Sequence, residues 1–344
     1  PSYALTPGCT AADARAVLEP DTDGGWRVVS ERLIVAVSAH GAVEFRTPGG
    51  GLLRRDLPPR WWDAQVPGES PRWVHRSELA PDAAVYGLGG RACGPRLPEG
   101  SYRLWNTDPG GSFGPADDPL YITVPVQMVV ADVGCHLVFH DCSWDGVVTL
   151  RDGMEGAGSG HDRPAGCEVR MDGGPLRYWV MTGAPARLLE SWTALTGRPA
   201  LPPRWALGYQ HSRWGFGSSR EVRRVVAGYR ERDLPLSAVH LDIDHYRGHR
   251  VFTVDTERFP DLPGLARDLE AQGVRMVSII DPAVKAEPGN PVFDSGIEAE
   301  AFCRDPSGRL VTGRVWPGTA VYPDFTDPRV RKWWGEQYAE RLAQ

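Results

Sequence analysis

Lysine is nearly missing from this sequence of 344 residues: Lys285 and Lys332 are the only two, and arginine supplies the rest of the 38 basic side chains. The arginines are scattered among 44 acidic residues, and the net charge is -6, so no basic patch points to nucleic acid. No apolar run reaches the length of a membrane span, and no membrane partner is expected. The six cysteines (Cys9, Cys93, Cys135, Cys142, Cys167, Cys303) form no CxxC and no cysteine–histidine spacing of a zinc site. Isolated thiols fit a reducing compartment, so a cytoplasmic location is expected. The chain begins at Pro1, not Met, so the lack of a secretory leader excludes nothing. No GxSxG elbow marks a serine nucleophile.

What is abundant is tryptophan, with 13 residues. An indole is a large apolar body with one donor, suited to cores and to the flat faces of sugar rings. Up to about residue 184 the chain reads as all-β. Short apolar or alternating runs recur, such as "WRVVS" (26–30), "LIVAVS" (33–38), "YITVPVQMVVA" (121–131), "GCHLVFHD" (134–141) and "LRYWVMTG" (176–183). Gly, Pro and Asp clusters separate them, the pattern of a β-sandwich. The segment 185–202 reads as a helix, with Leu188, Leu189, Trp192 and Leu195 at helical spacing, followed by a Pro-rich link.

From Trp205 strand and helix alternate. "WALGYQ", "SAVHLDI" and "VRMVSII" are the strands. "SSREVRRVVAGYRERDLP" is a helix with a Ser cap and a stripe of Val222, Val225, Val226 and Tyr229. "PDLPGLARDLEAQG" is the next helix, with Pro263 early and Gly273 at its end. A long loop then leads to a last helix over "DPRVRKWWGEQYAERLA", capped by Asp327. Three βα units imply a parallel sheet, either doubly wound or the start of a (β/α)8 barrel. No Gly-rich phosphate loop follows the first of these strands, and "GLGG" (87–90) lies in the β region, which argues against a dinucleotide domain. In both architectures ligands sit at the C-terminal strand ends, where Asp242, Asp244 and Asp281 fall.

In an extended chain Asp242 and Asp244 share one face, about 6–7 Å apart at Cα. Such a pair could grip adjacent sugar hydroxyls. It could also be an acid/base couple, since retaining glycosidases hold their carboxyls about 5–5.5 Å apart. The plain alternative is that one caps a turn and the other faces water. A metal grip with His245 and His249 needs a helical HxxxH, which Gly248 and the strand context oppose. Trp214 follows the first strand and could wall a pocket. Trp316 lies in the aromatic and Pro-rich loop 315–328, where it could stack on a sugar or anchor the loop. Trp333 and Trp334 sit in a helix, where packing is the expected role.

Several segments, in order, carry a family resemblance. They are "YGLGG" (86–90), "YRLWNTD" (102–108), "DDPLYITVPV" (117–126), "GRPALPPRWALGYQHSRWGF" (197–216), "LDIDHYRGHRVFTVDTERFPD" (241–261), "MVSIIDPAV" (276–284) and "VWPGTAVYPDF" (315–325). The chain resembles glycoside hydrolase family 31, the α-glucosidase group, over nearly its whole length from about Trp26. The resemblance implies an N-terminal β-sandwich (1–184), a connecting segment (185–202) and the first three βα units of a (β/α)8 TIM barrel (203–344). It implies a retaining mechanism with an Asp nucleophile and an Asp acid/base, no metal and no cofactor. Asp108 resembles the residue that a sandwich loop sends into the active site. Asp242 resembles the carboxylate that binds hydroxyls of the terminal sugar. Trp214, Ile279 and Trp316 resemble the pocket walls.

The sequence departs from the family pattern at His245 and Tyr246, where Tyr and Met are usual, and at Val254, where an aromatic is common. A W-x-D-M-N-E-like nucleophile segment does not occur. No catalytic residue is therefore assigned within the chain; nucleophile and acid/base are expected beyond Gln344. Three βα units cannot close a barrel, so the isolated chain is expected to be an incomplete domain without a single cooperative melt. The implied function is part of a retaining exo-α-glucosidase acting on an oligosaccharide or α-glucoside. The alternatives are an α-xylosidase, α-galactosidase or transglucosidase of the same family, or a non-catalytic carbohydrate-binding protein. Homo-oligomer formation by the full-length enzyme stays open.

Overall fold

The computed structural model describes residues 2–63, 71–156 and 160–342, in two compact units, Pro1–Pro199 and Ala200–Gln344. The first unit runs β1 (Val17–Pro20), β2 (Trp26–Val29), β3 (Ile34–Val37), β4 (Val43–Arg46), β5 (Leu52–Asp56), β6 (Arg60–Trp62), β7 (Arg72–Leu79), β8 (Ala84–Gly87) and β9 (Gly100–Arg103). It continues with β10 (Val126–Ala131), β11 (Gly134–His140), β12 (Gly146–Arg151), β13 (Ala165–Met171), β14 (Tyr178–Thr182) and helix α1 (Pro185–Thr196).

Among the described residues these strands form two antiparallel sheets. One follows the order β1-β2-β3-β4-β5-β7-β13-β12-β9, with β6 also on β7; the other is β14-β11-β10-β8. Period-2 alternation turns Trp73, Val148 and Val169 of the larger sheet and Val85 and Val129 of the smaller one into a common buried core. The result is the β-sandwich that the sequence led us to expect. Helix α1 is an integral part of this unit rather than a connector. Its buried Leu188 and Leu195 pack with Val126, Leu137 and Phe139 on the other face of the smaller sheet. The same apolar stripe that defines the helix thus has a sheet to cover.

The second unit runs β15 (Gln210–His211), α2 (Ser219–Glu231), β16 (Ala238–Leu241), α3 (Leu262–Glu270), β17 (Arg275–Ser278), β18 (Val284–Lys285), α4 (Pro291–Glu298), β19 (Thr312–Val315), β20 (Gly318–Val321) and α5 (Pro328–Leu342). Strands β15, β16 and β17 are parallel neighbours in that order, joined by α2 and α3: the opening βα repeat of a barrel. Ser218 caps α2 by accepting from the Glu221 amide at 3.3 Å, and Asp261 caps α3 by accepting from the Gly264 amide at 2.7 Å. Val222 and Val226 of α2 and Leu265 and Leu269 of α3 are buried with Val239 and Leu241 of β16. Burying each of these side chains stabilises the layer by about 1.5–3 kcal/mol.

Two expectations change. The run "WALGYQ" is not a strand throughout, because residues 204–207 form a 3-10 turn that Pro203 enters and Gly208 ends. Gly208 is required there: a Cβ would run into the Ser237 side chain just before β16. The segment after β17 is not a long loop. It folds into the antiparallel sheet β18-β20-β19 with α4 and has its own core, in which Val284, Val292, Phe302 and Val321 pack with Trp333 and Trp334 of α5.

Candidate functional site at the ends of the parallel strands

Along β16, Ala238, His240 and Asp242 lie on one face by alternation, while Val239 and Leu241 point into the core with the helices. His240 Nε2 meets Gln210 Oε1 of β15 at 2.8 Å, making a polar layer beneath Asp242. The strand then stops. The Asp242 carboxylate accepts from its neighbour's amide, Ile243 N, at 2.7 Å, and residues 243–245 wind into a 3-10 turn. This corrects the pairing read from the sequence: the extended geometry that would put Asp242 and Asp244 on one face ends at Asp242, and Asp244 belongs to the turn.

The turn also places the two unusual residues behind the strand end. His245 is 4% exposed, and its Nδ1 lies 2.6 Å from the Asp242 carbonyl oxygen. Burial lowers its pKa from the usual imidazole range, so the ring is neutral near pH 7, with Nδ1 as the donor to that carbonyl. Tyr246 is 2% exposed, and its hydroxyl donates to the Ile279 carbonyl at 2.7 Å and accepts from the Asp281 amide at 3.3 Å. Burial pushes that phenol well above its ordinary range. These residues brace the strand ends through backbone carbonyls, His245 at Asp242 and Tyr246 at Ile279. Among the described residues no group of three or more His, Cys, Asp or Glu is placed to hold a metal ion.

Hydrogen bonds tie the three strand ends together. The Asp242 amide donates to Gly215 O at 3.4 Å, next to Trp214, and the Ile279 amide donates to Leu241 O at 3.0 Å. Asp281, just past β17, accepts from Trp316 Nε1 at 2.6 Å through Oδ2 and from the Ala283 amide at 3.0 Å through Oδ1. Trp316 sits at the turn of the β19–β20 hairpin, where Val315 pairs with Gly318. The segments bearing Trp214, Asp242, Ile279 and Trp316 are therefore linked one to the next. Trp214 is 70%, Ile279 39% and Trp316 55% exposed. An arrangement of one part-exposed carboxylate with accessible apolar and indole surfaces can bind a ring that carries both hydroxyls and C–H faces. Asp281 and Tyr246 complete the frame. The position of Asp281 at a strand end was legible; the role of Tyr246 was not.

Asp108, the fifth expected residue, belongs to the first unit. It lies in the exposed loop between β9 and β10, where its Oδ1 accepts from the Gly110 amide at 2.9 Å and the Tyr121 hydroxyl at 3.1 Å.

Comparison with known proteins agrees with both halves of this architecture. Residues 4–148 match the glycosyl hydrolase 31 N-terminal galactose mutarotase-like domain, and residues 199–344 match the glycosyl hydrolases family 31 TIM-barrel domain. The chain belongs to glycoside hydrolase family 31. It is 39% identical over 236 residues to alpha-glucosidase 2 of Bacillus thermoamyloliquefaciens, covering 68% of this chain and 29% of that protein. It is 31% identical over 262 residues to an alpha-glucosidase of Saccharolobus solfataricus, covering 76% of this chain and 36% of that protein. The chain thus spans about a third of the length of these relatives. Its fold matches the ER glucosidase II heterodimeric complex of catalytic subunit and regulatory binding domain with a TM-score of 0.85 at 20% identity, over 96% of this chain and 41% of that one.

Proposed function

We propose that this chain supplies the glycone-binding wall of a retaining exo-α-glucosidase. The observation that carries the reading is Asp242. It is a part-exposed carboxylate at the end of a central parallel strand, held by the Ile243 amide and linked to the frame of Ile279, Asp281 and Trp316. In this reading Asp242 accepts hydrogen bonds from two hydroxyls of the terminal α-glucosyl unit. Trp214, Ile279 and Trp316 cover its apolar faces. A carboxylate that grips ring hydroxyls favours the flattened, oxocarbenium-like ring more than the relaxed one, so binding becomes rate. Attack on the anomeric carbon and protonation of the leaving oxygen fall to two carboxylates outside these 344 residues. The alpha-glucosidase relatives support the glucosyl preference.

The test is Asp242→Ala in the full-length protein, assayed on p-nitrophenyl α-glucoside. Loss of a charge-assisted contact should lower kcat/KM roughly tenfold to a hundredfold. Wild-type efficiency would remove Asp242 from the pocket. Faster turnover of α-xyloside than of α-glucoside would replace the glycone and keep the site.

A further inference from the structure

The sandwich carries a second feature built for a ring. Beyond β9 the chain passes Trp105, and beyond β11 it passes Trp144; both indoles border one cavity of about 680 Å³, within the size range of small-molecule sites. Trp105 is 47% and Trp144 45% exposed. Each ring is held from one side. Trp144 lies against the backbone of Gly173 and Gly174, where a Cβ on either glycine would collide with the indole. Trp105 is covered by the Arg103 guanidinium, 5.2 Å from the ring centroid, and Arg103 is itself anchored to Asp145 at 2.6 Å. Neither indole is a loose surface residue; both are fixed in orientation with about half of their surface accessible.

The polar lining is fixed as well. Asp141 is 7% exposed and accepts from Arg177 Nε at 2.6 Å and Ser2 Oγ at 2.9 Å. Asn106 accepts from the Thr123 amide at 2.7 Å through its carbonyl oxygen, so its NH2 group is the end this bond does not use. Ser143 adds a hydroxyl to the same wall. Immobilised indoles and polar groups on one cavity wall suit a pyranose: C–H faces meet the rings, and hydroxyls meet the Asn106 amide and the Ser143 hydroxyl.

We infer that this cavity is a second carbohydrate site, which binds one or two pyranose units of a neutral oligosaccharide on the sandwich. It takes no part in bond cleavage and is independent of the Asp242 site. The test is calorimetric titration of the full-length protein with non-hydrolysable, thio-linked maltotetraose and isomaltotetraose, on wild type, Trp144→Ala, Trp144→Phe, Trp105→Ala and Asp242→Ala, each checked for native circular dichroism. Binding by wild type is expected. It should weaken roughly tenfold in Trp144→Ala and in Trp105→Ala, survive largely in Trp144→Phe, which keeps a flat ring, and lose nothing attributable to this site in Asp242→Ala. Failure of the wild type to bind either sugar overturns the inference. So does binding that both Trp→Ala variants retain at wild-type strength, whatever Asp242→Ala does to hydrolysis in the full-length protein.

Discussion

The sandwich interior and the strand ends of the second unit both gather ionisable groups, and they hold them in opposite ways. Between the two sheets, Arg54, Asp56, His75, His136 and His140 are each at most 2% exposed. Arg54 Nε donates to Asp56 Oδ1 at 2.6 Å, and Ser77 Oγ donates to the same oxygen at 2.6 Å. Burial holds the His75 imidazole down at about 4 and those of His136 and His140 at about 3, so the three rings are neutral in ordinary buffers. At the strand ends, Asp242 and Asp281 are part-exposed and satisfied by backbone amides and one indole. Perturbed titration alone would select the sandwich interior as the site. Access selects the strand ends, since groups sealed between sheets cannot touch a sugar. The two regions share a chemistry of carboxylates and rings and differ in whether a ligand can reach it.

Removing one partner from the sealed network should have the largest effect in the molecule. Asp56→Ala leaves the Arg54 guanidinium buried without its counter-ion, a loss of about 3–5 kcal/mol. Asp242→Ala, at an exposed strand end, should change stability by under about 1 kcal/mol. Urea denaturation of both variants measures the contrast, and equal losses would erase it. Acid is the next lever. The unfolded chain binds protons at these histidines near pH 6.5, whereas the folded sandwich refuses them until about pH 4 to 3. Stability should therefore fall as pH drops through this window, by roughly 1 kcal/mol per pH unit for each histidine. Urea midpoints followed from pH 7.5 to 4.5 should show this slope for the wild type and a shallower one for His140→Gln; parallel profiles would contradict it.

Why the strand-end position of Asp242 was legible and the sealed network was not follows from the pattern of side chains. In "SAVHLDI" the apolar residues Val239 and Leu241 fix the core face, so His240 and Asp242 must face the other way. Ser218 and Asp261 announce the flanking helices. In "LLRRD" and "RWVHRSEL" the inward positions are Arg54, Asp56, His75 and Ser77, and polar residues at period 2 read as a solvent face. Only contacts across the sandwich, such as the His75 ring against His140 of β11 and Tyr178 of β14, reveal that they face a second sheet. The β18-β20-β19 sheet was missed because its strands are only two to four residues long, with Pro317 in the turn between β19 and β20. Sequence spacing alone does not show that Tyr246 reaches a carbonyl 33 residues away.

That reach makes Tyr246 a point where the two kinds of region meet, since it is a sealed residue that serves an exposed site. Tyr246→Phe keeps the ring in its core and deletes the hydroxyl that joins Ile279 O and Asp281 N. Two part-buried backbone groups lose their partner, a loss of about 1 kcal/mol. If the brace positions the pocket, kcat/KM on an α-glucoside should fall in the full-length protein with no contact to the sugar removed. A loss of stability with unchanged kinetics would confine Tyr246 to packing.

The smallest effect belongs to the indole that Asp281 holds. Trp316 is 55% exposed, and its Nε1 donates to Asp281 at 2.6 Å. Trp316→Phe removes that bond and keeps an aromatic face, while Asp281 retains the Ala283 amide. Because the bond is solvent-accessible, stability should change by about 0.5 kcal/mol or less. The sugar contact separates two roles. If Trp316 acts by its flat face, Phe should hold KM within about twofold and Ala should raise it roughly tenfold. If it acts as an anchor for the hairpin, Phe and Ala should be equally impaired, because both lack the N–H. The ratio of the two variants therefore decides whether exposure at a strand end signals contact with a ligand or only the absence of a neighbour.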